Sequence, residues 1–390
     1  MLPIFLLIVF IFSAFAILHT YIFYPLIMQF LRNCFRKNVA LPNNKEQPTV
    51  AIIMAAYNEE RVIEKKLKSC MNSTYPSDKL QIHIGSDNSQ DKTNEIVTAY
   101  EQKIQNLHFT AHKERQGKIK IMNKLAQEAN AEWLIFTDAN IFFAPETFSE
   151  LMRWHNDPQV AMVCGHINKM KHGQNGSAEA ELLYMNNENN LKLNESLLLG
   201  FCLGAEGGCF AIRKSFFEQV PELFLNDDFY TTLSVIEQKG KIIYAENAIC
   251  FEDTTDTEME FKRKVRIQKG NIQNLVHYWY LVLNPFKSLT WALWSHKIFR
   301  WMTPFLLIIN AISSVLLTAY YPYAWLLTLP VIGFFAYPLI YGLLQKIGIK
   351  SNFLSALYHF VMMNYAFIKG VHLYFSGPKT SIWERTQRKA

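Results

Sequence analysis

Three short acidic turns in this chain could do chemistry: Ser86-Asp87-Asn88, Asp138-Ala139-Asn140 and Asn226-Asp227-Asp228. Asp138 and Asn140 place hard oxygen atoms two residues apart. Such a pair suits Mg²⁺ or Mn²⁺ already carried by a diphosphate. Asn140 is neutral, so the pair has one formal charge less than two aspartates would have. Cations that could answer these groups stand elsewhere. Lys118 follows Gly117 at the start of a helical pattern, where it could add positive charge near phosphates. Arg263, Arg266 and Gly270 recur at i, i+3 and i+7, on one helix face that could meet something anionic. A strand-end aspartate is more often a turn residue or a helix cap than a ligand, so the elements around these residues decide the reading.

Those elements alternate. Val50–Ala56 is a continuous apolar run ending at Tyr57-Asn58-Glu59-Glu60, and a helix with Val62, Ile63, Leu67 and Cys70 on one face follows. Ile82–Gly85 predicts a strand that ends at Asp87, and Leu107–Ala111 a third. Gly117–Ala129 reads as a helix with Ile121 and Leu125 inward. Trp133–Phe136 is the run that stops at Asp138. Strand–helix alternation with short turns predicts an α/β fold with a parallel sheet covered on both faces. Ligands of such sheets bind outside the C-terminal strand ends, where Tyr57, Asp87 and Asp138 would gather. Further strands are expected at Val160–Cys164, Gly207–Arg213 (entered through glycines) and Lys241–Ala245, with a helix after Asp228.

The ends of the chain differ in character. Leu2–Leu31 is apolar for longer than the roughly 20 residues a membrane helix needs. It has no preceding cation but is followed by Arg32, Arg36 and Lys37, which favours an anchor over a signal peptide. Two more spans are expected over about 299–345. Cations before and after them place the N-terminus outside and residues 32–298 in the cytoplasm. The segment 353–375 is apolar but carries His359, Asn364, Lys369 and His372. It reads as an interfacial or partly inserted helix before a basic cytoplasmic tail. In the 258–298 stretch, Phe261, Val265, Ile272, Leu275 and Trp279 form a narrow apolar stripe, expected to pack on the soluble domain or lie in the membrane interface. The expected organisation is an anchor (1–31), a linker (32–47), a soluble α/β domain (48–257), interfacial helices (258–298), two spans (299–345) and a last apolar helix with its tail (346–390). A net charge of +6, with cations clustered beside apolar segments, favours an anionic lipid bilayer over nucleic acid as partner. Six cysteines without a Cys-x-x-Cys pair or a His cluster read as reduced, mostly buried thiols of a cytosolic domain.

With these pieces in order, residues 48–275 resemble the family 2 glycosyltransferases. The likeness is to the membrane-bound branch of the cellulose, hyaluronan and poly-N-acetylglucosamine synthases. Asp87 in Ser-Asp-Asn-Ser-Gln-Asp-Lys-Thr resembles that family's first nucleotide-binding aspartate, and Asp138-Ala139-Asn140 its Asp-x-Asp motif. Asp228 resembles the last residue of the Thr-Glu-Asp motif, and Arg263–Ile267 the Gln-x-x-Arg-Trp motif. The resemblance implies a GT-A-type fold and an inverting transfer from a UDP-sugar to a glycan or lipid-linked acceptor at the inner (cell) membrane. It implies donor binding by Ala56, Tyr57, Glu59, Asp87, Lys118, Asp138, Arg263 and Arg266, with Mg²⁺ or Mn²⁺ at Asp138 and Asn140. Asp228 would be the base, taking the proton of the acceptor hydroxyl as the bond forms, while Gly207, Gly208, Asp227 and Ile267 line the acceptor side. Ile267 replaces the Trp that gives the synthases an aromatic platform, so processive and single-sugar transfer both stay open. Two firm spans are few for a polymer channel, so secretion would need a homodimer or an export partner. A non-catalytic subunit that binds sugar nucleotides or glycans for an export complex is the competing class, although such a subunit has no use for a base.

Overall fold

The computed structural model describes residues 1–35, 46–170, 176–253, 257–348 and 351–377. Linker residues 36–45 and the basic tail 378–390 lie outside the described residues. The chain divides into two compact units. One is built on Phe35–His172 and Lys192–Thr255, the other on Met1–Cys34, Gly173–Leu191 and Asp256–Gly377. The first half of the helix Gly176–Leu199 therefore goes with the apolar helices rather than with the sheet, which differs from a soluble domain running unbroken over 48–257.

Among the described residues the sheet unit contains eight strands: β1 (Val50–Ala56), β2 (Leu80–Ser86), β3 (Leu107–Ala111), β4 (Trp133–Phe136), β5 (Ile141–Phe143), β6 (Val160–Met170), β7 (Phe210–Arg213) and β8 (Lys241–Asp253). Their order across the sheet is β3-β2-β1-β4-β7-β6-β8-β5. β1, β2, β3 and β4 run parallel, as the strand–helix alternation predicts. Every residue of β1 and of β4 is buried, the pattern of strands covered on both faces. Wholly buried side chains such as Ile52, Ile53 and Ile135 each contribute about 1.5–3 kcal/mol of burial free energy.

Beyond β4 the sheet becomes mixed, within the α/β fold with a mostly parallel sheet that the sequence predicts. β7 enters between β4 and β6 from the opposite end and is antiparallel to both. β5 is antiparallel to β8, and β6 is parallel to β8 through two register shifts. The reversal has a direct consequence. Phe210, at the start of β7, pairs with Phe136 at the end of β4. The glycine loop before β7 is therefore delivered beside the Asp138 turn. In the same way Ile141 pairs with Glu252, bringing the end of β8 beside Asn140.

Among the described residues of the helical unit, three segments are long and apolar enough to cross a membrane: Leu2–Cys34, Ser288–Leu317 and Pro322–Lys346. The helix Asn352–Ser376 is not among them. The helix Thr257–His277 corrects the stripe read from the sequence. Its buried positions include Glu260, Val265, Gln268, Gly270, Asn271 and Asn274, while Val276 and the following Trp279 are exposed. The reason is a close helix crossing: a Cβ on Gly370 of Asn352–Ser376 would come within 2.6 Å of Gln268 Cβ. Small and polar side chains suit that contact better than the bulky apolar ones. Gly270, expected on the exposed basic face, is buried; Arg266 is exposed. Within the same unit, buried Glu188 accepts hydrogen bonds from His296 Nε2 (2.9 Å), Lys297 Nζ (2.7 Å) and Arg300 Nη1 (2.6 Å). Burial alone would raise its pKa, but His296, Lys297 and Arg300 outweigh that and hold it well below the usual carboxylate range.

Candidate active site

The C-terminal ends of β1, β2 and β4 and the start of β7 carry the candidate residues. Ala56 and Ser86 end β1 and β2 in register, and Asp87 N–H closes the ladder on the Ala56 carbonyl (2.8 Å). Tyr57–Glu60 and Asp87–Thr93 are knitted together. Asn58 Oδ1 accepts from Gln90 N–H (2.7 Å), and Glu59 N–H donates to Thr93 Oγ1 (2.8 Å). Asn58 and Asn88 hold positive φ values of 53° and 57°, a conformation in which asparagine is enriched.

Asp87 is wholly buried, yet its charge is matched. Its carboxylate accepts from Arg115 Nε (2.9 Å) and from the backbone N–H groups of Gln116 (2.5 Å) and Gly117 (3.2 Å). The Arg115 guanidinium lies 3.5 Å from the centre of the Tyr57 ring. Arg115 is a site residue that the sequence reading missed. The available signal was a cation two residues before Gly117-Lys118, in the turn that returns to the same sheet edge as Asp87. Gly117, with φ 86°, occupies the N-cap of the helix Lys118–Glu128, a backbone angle that other residues rarely adopt.

Lys118 ties two of the acidic turns together. Its ammonium lies 3.0 Å from Asp138 Oδ1 and 3.4 Å from Asp227 Oδ2. Asp227 and Asp228 occupy the first turn of the helix Asp227–Glu237, where the N-terminal dipole favours negative charge. The expected side-chain cap is not made by Asn226, the N-cap residue. Instead Asp228 accepts from its own neighbour Phe229 N–H (2.6 Å) and, across the cleft, from Gly207 N–H (2.7 Å). A Cβ on Gly207 would stand 3.1 Å from Asp228 Oδ2, close enough that the carboxylate would have to shift by a few tenths of an ångström. A Cβ on Gly208 would fall within 2.8–2.9 Å of Ile141 and Ile167. Burial and the adjacent Asp227 push the Asp228 carboxyl up to about 6, against the downward pull of Lys118 and of the two N–H groups. Gly207, Gly208 and Asp227, expected on the acceptor side, thus all stand against the candidate base or the Asp138 turn.

Asn140 turns its amide nitrogen to Glu252 Oε1 (3.3 Å), a neighbour that the sequence reading also missed because β8 extends beyond Ala245. Among the described residues no group of three or more His, Cys, Asp or Glu side chains could hold a metal alone. The Asp138 carboxylate, two-fifths exposed, and the Asn140 amide oxygen nevertheless fit a hard divalent ion that arrives with most of its ligands on a diphosphate. Arg263, Arg266 and Ile267 lie on Thr257–His277 in the other unit, where Arg263 is 3.8 Å from Glu260 of its own helix. All six cysteines are free thiols, five buried and Cys34 exposed.

Residues 51–220 match the family model for glycosyl transferase family 2, a match that ends just before Asn226. The chain is 26% identical over 252 residues to YdaM of Bacillus subtilis (strain 168), named as a glycosyltransferase, covering 59% of this chain and 56% of that protein. It is 22% identical over 319 residues to a hyaluronan synthase of Streptococcus pyogenes serotype M3, covering 77% of this chain and 73% of the synthase. The chain thus spans about half the length of the first of these relatives. Its fold is also that of the mannosyltransferase PcManGT from Pyrobaculum calidifontis, solved with GDP-Man and Mn²⁺, at a TM-score of 0.70 and 19% identity over 95% of this chain and 99% of that one. Shared fold and family model fall on the same stretch of sheet that holds the Asp87 and Asp138 turns, and residues 51–220 are a glycosyltransferase family 2 domain on a GT-A-type fold.

Proposed function

We propose that this chain is a membrane-anchored inverting glycosyltransferase that moves a sugar from a UDP-sugar to a hydroxyl of a glycan or lipid-linked acceptor. The observation that carries the reading is Asp228: a partly buried carboxylate with its pKa pushed up to about 6, aimed by the Gly207 N–H, one ion pair away from Lys118 and Asp138. A base with that pKa is ionised at neutral pH yet basic enough to take a hydroxyl proton in the transition state. Asp87 and the Tyr57–Arg115 stack sit where an open α/β sheet receives a nucleotide. Lys118 supplies fixed positive charge to the leaving diphosphate. Asp138 and Asn140 would hold Mg²⁺ or Mn²⁺, which adds positive charge to the same diphosphate when bound.

Membrane attachment rests on Leu2–Cys34, Ser288–Leu317 and Pro322–Lys346, whose Phe5, Ile8, Phe12, Ile312, Val315 and Leu339 side chains lie exposed on their helices. In this reading the catalytic unit and the C-terminal tail are cytoplasmic, the N-terminus is outside, and secretion of a long product requires a second copy or an export partner. The deciding experiment is nucleotide release by the detergent-solubilised full chain against a panel of UDP-sugars and GDP-mannose, with Mg²⁺, Mn²⁺ or a chelator. Release of UDP from one donor, dependent on the ion, is the expected result. Release of GDP alone would correct the donor, and no release with any donor and acceptor would overturn the reading.

A further inference from the structure

A buried lysine behind this site has no role in the chemistry above. Lys66, on the helix Ile63–Met71, is 0% exposed. Its ammonium donates to Thr137 Oγ1 (2.8 Å) and to the Ile141 carbonyl, and lies 3.6 Å from the centre of the Phe143 ring. Thr137 and Ile141 are the residues immediately before and after Asp138-Ala139-Asn140. One buried cation therefore pins both ends of the turn that presents Asp138. No carboxylate among the described residues lies within ion-pair distance of it. Burial drives its pKa down, against the weaker upward pull of Cys70, Cys250, Cys209 and Asp138. A core lysine without a carboxylate partner is costly to bury. Such a charge lowers the cost of bringing an anion to the far side of the turn, where the diphosphate would lie.

The same turn is wired to the base. Thr137 Oγ1, which accepts from Lys66, donates to the Gly208 carbonyl (2.8 Å). The preceding residue, Gly207, donates its N–H to Asp228. We propose that Lys66 is a positioning residue for the transfer: it fixes the Asp138 turn for the donor and, through Thr137 and Gly208, locks that turn to the loop that aims Asp228. The inference rests on the nucleotide-sugar reading of the site.

The test uses Lys66→Met, which keeps length and removes the charge, and Thr137→Val, which keeps shape and cuts the link to Gly208. Both are made in the full chain, with UDP binding in Mn²⁺ measured by calorimetry and turnover measured per folded molecule. The expected result is a split. Lys66→Met weakens UDP at least tenfold and lowers kcat. Thr137→Val lowers kcat at least fivefold with UDP affinity within threefold of native. A purely structural role would lower the melting temperature and the folded fraction but leave both quantities near native. Folded variants within twofold of native in affinity and kcat would overturn the proposal. Should Lys66→Met not fold, the kcat-against-affinity split of Thr137→Val decides alone. The native protein is measured first. If it neither binds UDP or GDP nor turns over a nucleotide sugar, the functional reading fails and this inference falls with it; if it does both and the variants match it, only the inference fails.

Discussion

Asp228→Asn separates catalysis from stability in a way that the geometry makes quantitative. An aspartate ordinarily ionises near 4, and Asp228 is pushed up to about 6. Keeping it charged in the fold at pH 8 therefore costs about 3 kcal/mol. Asparagine removes that cost. It also turns an NH₂ group toward one of the two N–H donors, Gly207 or Phe229, that the carboxylate satisfied, which costs about 1–3 kcal/mol. The net change at pH 8 lies between about 0 and +2 kcal/mol in favour of the variant. Because the folded pKa is raised, the native penalty is present above about pH 6 and is relieved as the carboxyl protonates below it. By pH 5 the native protein recovers about 1 kcal/mol that the variant cannot, a change of a few degrees in melting temperature. Turnover, in contrast, is expected to fall by about 10²–10⁴, the usual contribution of a general base, with UDP affinity within a few-fold. The assays are thermal melts of native and variant at pH 8 and pH 5, alongside UDP release at saturating donor. Turnover within tenfold of native would refute Asp228 as base. A stability difference that does not move with pH would refute the buried, charge-burdened carboxylate.

Three further outcomes follow from particular contacts. The pH–rate profile of the native protein should lose activity about tenfold per pH unit below about pH 6. Asp227→Asn, which removes the neighbouring negative charge, should move that limb to lower pH. Gly207→Ala should cost at least tenfold in kcat with little change in melting temperature, because its Cβ would stand 3.1 Å from Asp228 Oδ2 and displace the carboxylate from the N–H that aims it. A normal kcat would show that the Gly207 contact does not orient the base. Glu188→Gln should destabilise the helical unit by about 3–5 kcal/mol, since it leaves Lys297 and Arg300 buried without their counter-charge; unchanged thermal stability in detergent would mean that those cations reach water.

The parallel half of the sheet was legible because its strands are continuous apolar runs that stop at polar turns. Val50–Ala56 and Trp133–Phe136 needed no tertiary information; Asp87 and Asp138 were singled out where the runs Ile82–Gly85 and Trp133–Phe136 stop, and Lys118 where Gly117 opens a helical pattern. β5 and the far end of β8 were not legible. Ile141–Phe143 is too short for periodicity, and Glu246 and Asn247 interrupt the apolar pattern of β8, so Glu252 was never placed beside Asn140. The direction of β7 could not be read either, because a four-residue strand carries no mark of which end enters first. Arg115 was missed since its partner, Asp87, is 28 residues away and a lone arginine in a turn usually faces solvent. Lys66 was missed for a different reason: Val62, Ile63, Leu67 and Cys70 put position 66 within their own apolar face, but a lysine is almost never fully buried, so the residue type hid what the spacing shows. The stripe on Thr257–His277 misled because the crossing at Gly370 selects small and polar side chains, while hydropathy alone selects large ones.

The reversal of β7 explains why acidic turns far apart in sequence can act as one site. In an all-parallel sheet the start of the strand beside β4 would lie at the opposite edge from Asp138. The glycine loop would then be about one strand length, some 13 Å for four residues, from the donor turn. Antiparallel pairing of Phe210 with Phe136 puts that loop on the same edge. From there Gly208 reaches Thr137 behind the turn, and Gly207 reaches Asp228 in front of it. Four carboxylates, Asp87, Asp138, Asp227 and Asp228, then share one rim. Asp87 pairs with Arg115, whereas Lys118 is divided between Asp138 and Asp227. A diphosphate approaching that pair meets more negative than positive charge. Repulsion between like charges at this range is worth several kcal/mol at an effective dielectric near 20. In the proposed reading a divalent ion arriving with the donor would offset that charge, and the Lys66 ammonium behind the turn would add to the offset.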